Sequence, residues 1–175
     1  MKQLAISAAL AALLTFALGP AHAVTFPLVP VEDAGNGDDP ATGYGGVSYN
    51  YRISDTEVTN AMYTEFLNAI ADDDPNGVWN ANMDITRSGS AGSYTYTVVG
   101  GFEDHPINQA SFFDAMRFVN WVENGQPTGA QDASTTEDGT YLISDGSSEV
   151  RSADATYFLP SEDEWYKAAY YDGAG

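Results

Sequence analysis

The chain has no cysteine anywhere in its 175 residues. That excludes disulfides, a thiolate nucleophile and thiolate ligands for a soft metal. If such a protein is exported, packing or a metal must hold it without cross-links. Basic residues are scarce as well: six Lys and Arg stand against 25 Asp and Glu, for a net charge of −19. Beyond Lys2 they are Arg52, Arg87, Arg117, Arg151 and Lys167, scattered singly along the chain. Phosphate backbones and anionic membranes are held by Lys/Arg clusters, so neither nucleic acid nor an anionic membrane is expected as a partner. There are only two histidines, His22 and His105, too few for a centre built from several imidazoles. No segment recurs at a fixed period, which excludes solenoids and propellers. The acidity has two readings: a solvated surface suited to export and salty surroundings, or a cation buffer. The first explains the even spread of the charges better.

Residues 1–23 read as a secretory leader. Lys2 begins it, Leu4 to Leu18 is an apolar run rich in Ala and Leu, and Ala21-His22-Ala23 is a small-x-small cleavage site. The run falls short of the roughly 20 residues a bilayer span needs, and no basic stop-transfer cluster follows. Residues 24–175 would then form one exported domain without a membrane span, placed in the periplasm, at the cell surface or in the medium.

Within that domain Val24 to Val31 is a candidate first strand, and Glu32 to Gly46 a loop of Gly, Asp and Asn. Val47 to Ile53 alternates apolar and polar residues, as a half-buried strand does. Met62, Phe66, Leu67 and Ile70 share one helical face behind Thr59, a candidate cap, and predict a helix over 60–71. Ser93 to Val99 alternates again and ends at Gly100-Gly101. Ser111-x-x-Asp114 opens a second helix, with Phe112, Ala115, Phe118, Val119 and Val122 on one broad face and Gly125 closing it. Thr140–Ser144 and Ala155–Leu159 are expected as short strands. Ser161-x-x-Glu164 is a capping box, and Glu162, Asp163 and Glu164 favour the positive end of a third helix. Short helices among short strands and long loops predict an α+β fold.

Candidate chemistry is sparse. Asp72, Asp74, Asn76 and Gly77 match positions 1, 3, 5 and 6 of a calcium loop, directly after a helix. Position 12 is Met83 rather than Glu, and Pro75 sits inside the loop. The competing reading is a polar turn that ends the helix, and the missing carboxylate favours it. His105 stands beside Pro106. Imidazole can ligate or transfer protons, but no nucleophile and orienting group accompany it, so a structural turn explains it better. Glu162, Asp163 and Glu164 could pass for acid/base carboxylates, yet their helix-start positions account for them. Tyr49 and Tyr51, with Tyr94 and Tyr96, place rings on strand faces. Sugar stacking is one reading, and cross-strand packing the preferred one. Trp79 shares that ambiguity, and Trp121 lies in a helix as a core residue.

Three ordered segments resemble one family. Tyr51-Arg-Ile-Ser-Asp-Thr-Glu-Val-Thr-Asn-Ala-Met-Tyr63 is the first. His105-Pro106-Ile107 with Ser111, Phe112, Asp114 and Ala115 is the second, continued by Asn120-Trp121 and Asn124 to Gly129. Leu159-Pro-Ser-Glu-Asp-Glu-Trp165 with Ala168-Ala169 is the third. Together they resemble the formylglycine-generating enzyme (sulfatase-modifying factor) family over about residues 43–172, particularly its exported bacterial members. The resemblance implies a C-type-lectin-like fold with little regular structure, of which this chain carries the N-terminal part. It also implies aerobic oxidation of a substrate cysteine by two enzyme cysteines and a bound copper ion, which the family places beyond the third helix together with its calcium ligands. None of these is carried over, since no cysteine is present, so no catalytic and no cofactor-binding residue is assigned and the copper site is not expected here. Three functions remain open: a scaffold or binding member without oxidase activity, a fragment of an active oxidase, and a lectin-like surface protein with a protein or glycan ligand. If the family domain packs two halves over one core, this portion leaves apolar helix faces uncovered.

Overall fold

The computed structural model describes residues 23–143 and 150–173. Apart from Ala23, the leader lies outside the described residues. Among these described residues, three helices and two separate two-stranded antiparallel sheets make up the regular structure. Strand β1 (Leu28–Val31) pairs with β2 (Tyr51–Ser54), Leu28 opposite Ser54 and Val31 opposite Tyr51. Helix α1 (Asn60–Ile70) follows at once. Strands β3 (Ile85–Ser88) and β4 (Thr95–Val98) pair with Ile85 opposite Val98. Helices α2 (Phe112–Glu123) and α3 (Glu162–Tyr170) complete the order. This is an α+β arrangement of short elements.

Each helix starts where its side chains satisfy the orphan N–H groups of the first turn. Thr59 accepts from the Met62 amide. Ser111 and Asp114 cap each other reciprocally, as do Ser161 and Glu164. Helix α2 ends in a Schellman motif: Gly125 has φ 82°, its amide reaches the Val122 carbonyl, and the Gln126 amide reaches that of Trp121.

Helix α1 packs on β4 and α2. Between them lies an aromatic core in which Phe66 and Phe118 meet edge to face at 5.4 Å, with Tyr63 and Trp121 against both. A smaller cluster on the other flank of α2 joins Met116, Val119, Tyr141 and Ile143, with Leu159 against it. Asn120, fully buried on α2, organises the loop beside that cluster. Its Oδ1 accepts from the Tyr141 amide, and its Nδ2 donates to the Thr136 and Tyr141 carbonyls, all at 2.8 Å.

Several expectations are corrected here. Thr140–Ile143 and Ala155–Leu159 form no strand, and Ser144 lies outside the described residues. Side chains take their backbone groups instead: Asn120 holds Tyr141, the Glu123 carboxylate accepts from the Thr156 and Tyr157 amides, and the Tyr141 hydroxyl accepts from Leu159. The strand expected from Val47 begins only at Tyr51, because the Val47 amide and carbonyl bond to the loop at Asn36 and Gly35. Strand β3 was not anticipated. On α2, Phe118, Val119 and Val122 are buried on the expected face and Trp121 lies in the core as expected, but Phe112 is 51% exposed and Met116 is buried in its stead. The paired tyrosines do not form a common stripe, since β2 and β4 lie in different sheets.

Candidate functional site

Helix α3 carries the best-organised polar cluster of the molecule. Glu164 closes the capping box, so its position is set by the helix start, and its side chain is driven inward to 1% exposure. There Oε2 accepts from the Ser161 amide at 2.7 Å and from Arg151 at 3.1 Å. Oε1 accepts from the Tyr49 hydroxyl at 2.6 Å and from Arg151 at 2.9 Å. The Arg151 guanidinium sits over the Phe158 ring, 4.1 Å from its centroid, and also reaches the Tyr49 oxygen at 2.5 Å. The Tyr51 hydroxyl donates to the Glu164 carbonyl. Burial alone would raise the carboxyl pKa of Glu164. The Arg151, Tyr49 and Ser161 donors outweigh it and hold that pKa below the ordinary value. The hydrogen bond to Glu164 raises the Tyr49 pKa, and burial with the neighbouring carboxylate pushes Tyr51 up to about 12. Glu164 is thus a stable anion that anchors a guanidinium, not a proton donor poised near neutrality.

This cluster borders an open groove of about 1520 Å3 that runs between the β1–β2 sheet, α2 and α3. Its lining includes Phe26, Tyr51, Phe118, Tyr157 and Trp165, and Trp165 is 52% exposed. On the opposite side of α3, the loop from Asp33 to Gly46 is clasped by the helix. Asp163 accepts from the Gly45 amide, Tyr166 donates to Asp39, the buried Lys167 donates to the Asp33 carbonyl at 2.8 Å, and Tyr171 donates to the Asp33 carboxylate.

The calcium-loop candidates sit elsewhere, after α1. Asp74, at φ 51°, turns its carboxylate onto the Val78 and Trp79 amides, the Gln131 amide group and Arg87. Arg87 is held between the Trp79 and Tyr94 rings, 4.1 and 4.2 Å from their centroids. Asn76 donates its side-chain amide to Glu137, itself paired with Arg117, and Asp72 is exposed. The Asp74 and Asn76 side chains therefore serve separate partners, and Asp72 joins neither. Among the described residues no group of three or more His, Cys, Asp and Glu is arranged to hold a metal. His105 is exposed, its ring edge-on to Phe102 at 4.9 Å. Its carbonyl accepts the first amide of α1. Arg151 was not singled out among the scattered basic residues, and nothing in its Ser- and Asp-rich surroundings signals a partner thirteen residues on.

The fold and site define a small α+β protein whose third, box-capped helix ties a distant tyrosine and arginine to an apolar groove. Residues 33–175 match the family described as the sulfatase-modifying factor enzyme 1-like domain, and the chain belongs to that family. No curated protein and no solved structure shows a significant match. Among the described residues no helix is long and apolar enough to cross a membrane.

Proposed function

We propose that this is an exported sulfatase-modifying-factor-like protein that does not itself oxidise cysteine. It acts as a scaffold or binding member of its family. The observation that carries this reading is the donor chemistry. Copper-dependent thiol oxidation needs soft sulfur ligands. The thiolates that such an oxidation works through are missing, since the chain has methionine thioethers but no cysteine, and the single described imidazole, His105, is an exposed turn residue packed on Phe102. The residues present do not fit the copper ion that the family's best-known activity uses, so no step is routed through it. Glu164, the buried carboxylate of the signature helix, is engaged by four donors and serves architecture. The leader-like residues 1–23 support export, and family membership supports a C-type-lectin-like course for residues 24–175, of which this is the N-terminal portion.

The test is direct. The purified protein is incubated with copper, oxygen and a cysteine-containing peptide of the kind sulfatases present. Mass spectrometry should find the thiol unchanged, and formation of the aldehyde would overturn the proposal.

A second reading has its own support. The groove beside α3 leaves Trp165 and much of the apolar lining open, as expected if a further segment of an oxidase domain covers this face. Sequencing the codons after Gly175 decides it: an open frame carrying the cysteine segments favours the oxidase fragment, and an immediate stop favours the scaffold.

A further inference from the structure

Ala23 is exposed, whereas Val24 is 8% exposed and belongs to the main core. Both backbone polar groups of Val24 are held by one side chain 102 residues away. Its N–H donates to Gln126 Oε1 at 2.6 Å, and Gln126 Nε2 donates to its carbonyl at 2.7 Å. At neutral pH, where carboxyl groups are ionised, a carboxamide is the side chain that can accept and donate in this way through neighbouring atoms while staying neutral. The backbone aims it. Gln126 is the residue at which the Schellman motif of α2 closes, and its φ of 59° lies in the left-handed region that few non-glycine residues occupy. The next carbonyl, that of Pro127, accepts from the Trp121 indole at 2.9 Å and keeps the segment against the core. A conformation of this kind persists where its surroundings over-determine it, often at a working site.

We infer that Gln126 is a receptor for the N-terminus of the processed chain, with cleavage between Ala23 and Val24. The inference rests on the export reading. Hydrolysis adds water across that peptide bond: Ala23 leaves as a carboxylate, and the Val24 nitrogen becomes an amine that takes up a proton. The new ammonium replaces an amide N–H at the same place, and its hydrogen bond to Gln126 Oε1 becomes charge-assisted and stronger. Of the described residues, cutting at this bond removes only the exposed Ala23. Cutting one residue later would delete Val24 and both bonds to Gln126.

The full chain with its leader is expressed in a Gram-negative host, and intact mass is measured on the exported product. A product beginning at Val24 is expected, and a product beginning at another residue overturns the inference. The clasp is read separately, on full chains carrying a site-specific protease sequence directly before Val24, melted before and after cutting in vitro. Gln126→Leu lowers the midpoint by about 3 °C or more in both forms, since it removes both hydrogen bonds. Gln126→Glu lowers it in the uncut form, because a carboxylate cannot donate to the Val24 carbonyl, and recovers at least half of that loss once the ammonium is freed. Equal losses for Glu and Leu in both forms, or no loss in either, overturn the clasp. A chain that is never exported or processed sinks the export reading and leaves the in vitro comparison to decide the clasp.

Discussion

Replacing Glu164 with Ala isolates what the signature helix does. The side chain is 1% exposed and receives four hydrogen bonds between 2.6 and 3.1 Å, from Ser161, Tyr49 and two Arg151 nitrogens. Breaking one side of a buried ion pair costs about 3–5 kcal/mol. Arg151 keeps 32% of its side chain exposed, so water compensates part of its loss. The expected destabilisation therefore sits at the low end, about 3 kcal/mol including the lost cap. For a chain of this size that lowers the thermal midpoint by about 6–12 °C. Glu164→Gln keeps an acceptor and should cost about 1–2 kcal/mol. Circular dichroism melts of Glu164→Gln, Arg151→Met and the double variant should give a coupling of at least about 1 kcal/mol. The pH dependence has a fixed sign. The folded-state pKa of Glu164 lies below the unfolded value. Its contribution is therefore present above about pH 4.3 and is lost as pH falls through the lower folded value. The stability gap between the natural protein and Glu164→Gln should narrow only in that acid range. Melting of Glu164→Ala within about 1 °C of the natural protein would refute the reasoning, as would a coupling of zero.

Asn120→Leu strips three partners from the buried backbone of Thr136 and Tyr141 and should cost about 3 kcal/mol or more by urea unfolding; a loss below about 1 kcal/mol would show that the loop repacks. Gly45→Ala places a Cβ 2.9 Å from Tyr166 at φ 98° and should cost about 1–3 kcal/mol, with faster proteolysis of the 33–46 loop as the local readout. Calcium at about 1 mM, a range used by extracellular modules, should leave the midpoint unchanged because Asp74 is committed to Arg87 and backbone amides; a clear rise would favour the calcium loop. In alkali, Tyr63, raised well above an ordinary phenol by burial, and Tyr51 and Tyr96, each pushed up to about 12, should be late phenols in an absorbance titration. Their contribution to stability is complete below about pH 10 and disappears as pH rises towards the folded values.

The helix starts were legible because capping is local: Thr59, Ser111 and Ser161 each announce a helix within four residues. Strand β1 and the core of β4 were legible through apolar runs and alternation. What was hidden depends on distant partners. Ile85–Ser88 shows no period in a polar stretch and becomes a strand only because β4 supplies its ladder. The reverse holds near Tyr141 and Tyr157, where β-prone residues form no ladder because Asn120 and Glu123 reach their backbone first. Phe112 looked like a core residue by spacing, yet the turn that buries Met116 and Trp121 points it outward. The family resemblance marked Glu164 through its motif, but neither Tyr49 nor Arg151 could be assigned to it without coordinates.

Asp33 meets both Lys167 and Tyr171, so positions 138 residues apart in the chain are welded side by side. A polypeptide closed on itself in this way can be reopened elsewhere. A single cut in the exposed turn at Ser90 to Gly92 would therefore leave two pieces of chain still joined side by side through this contact.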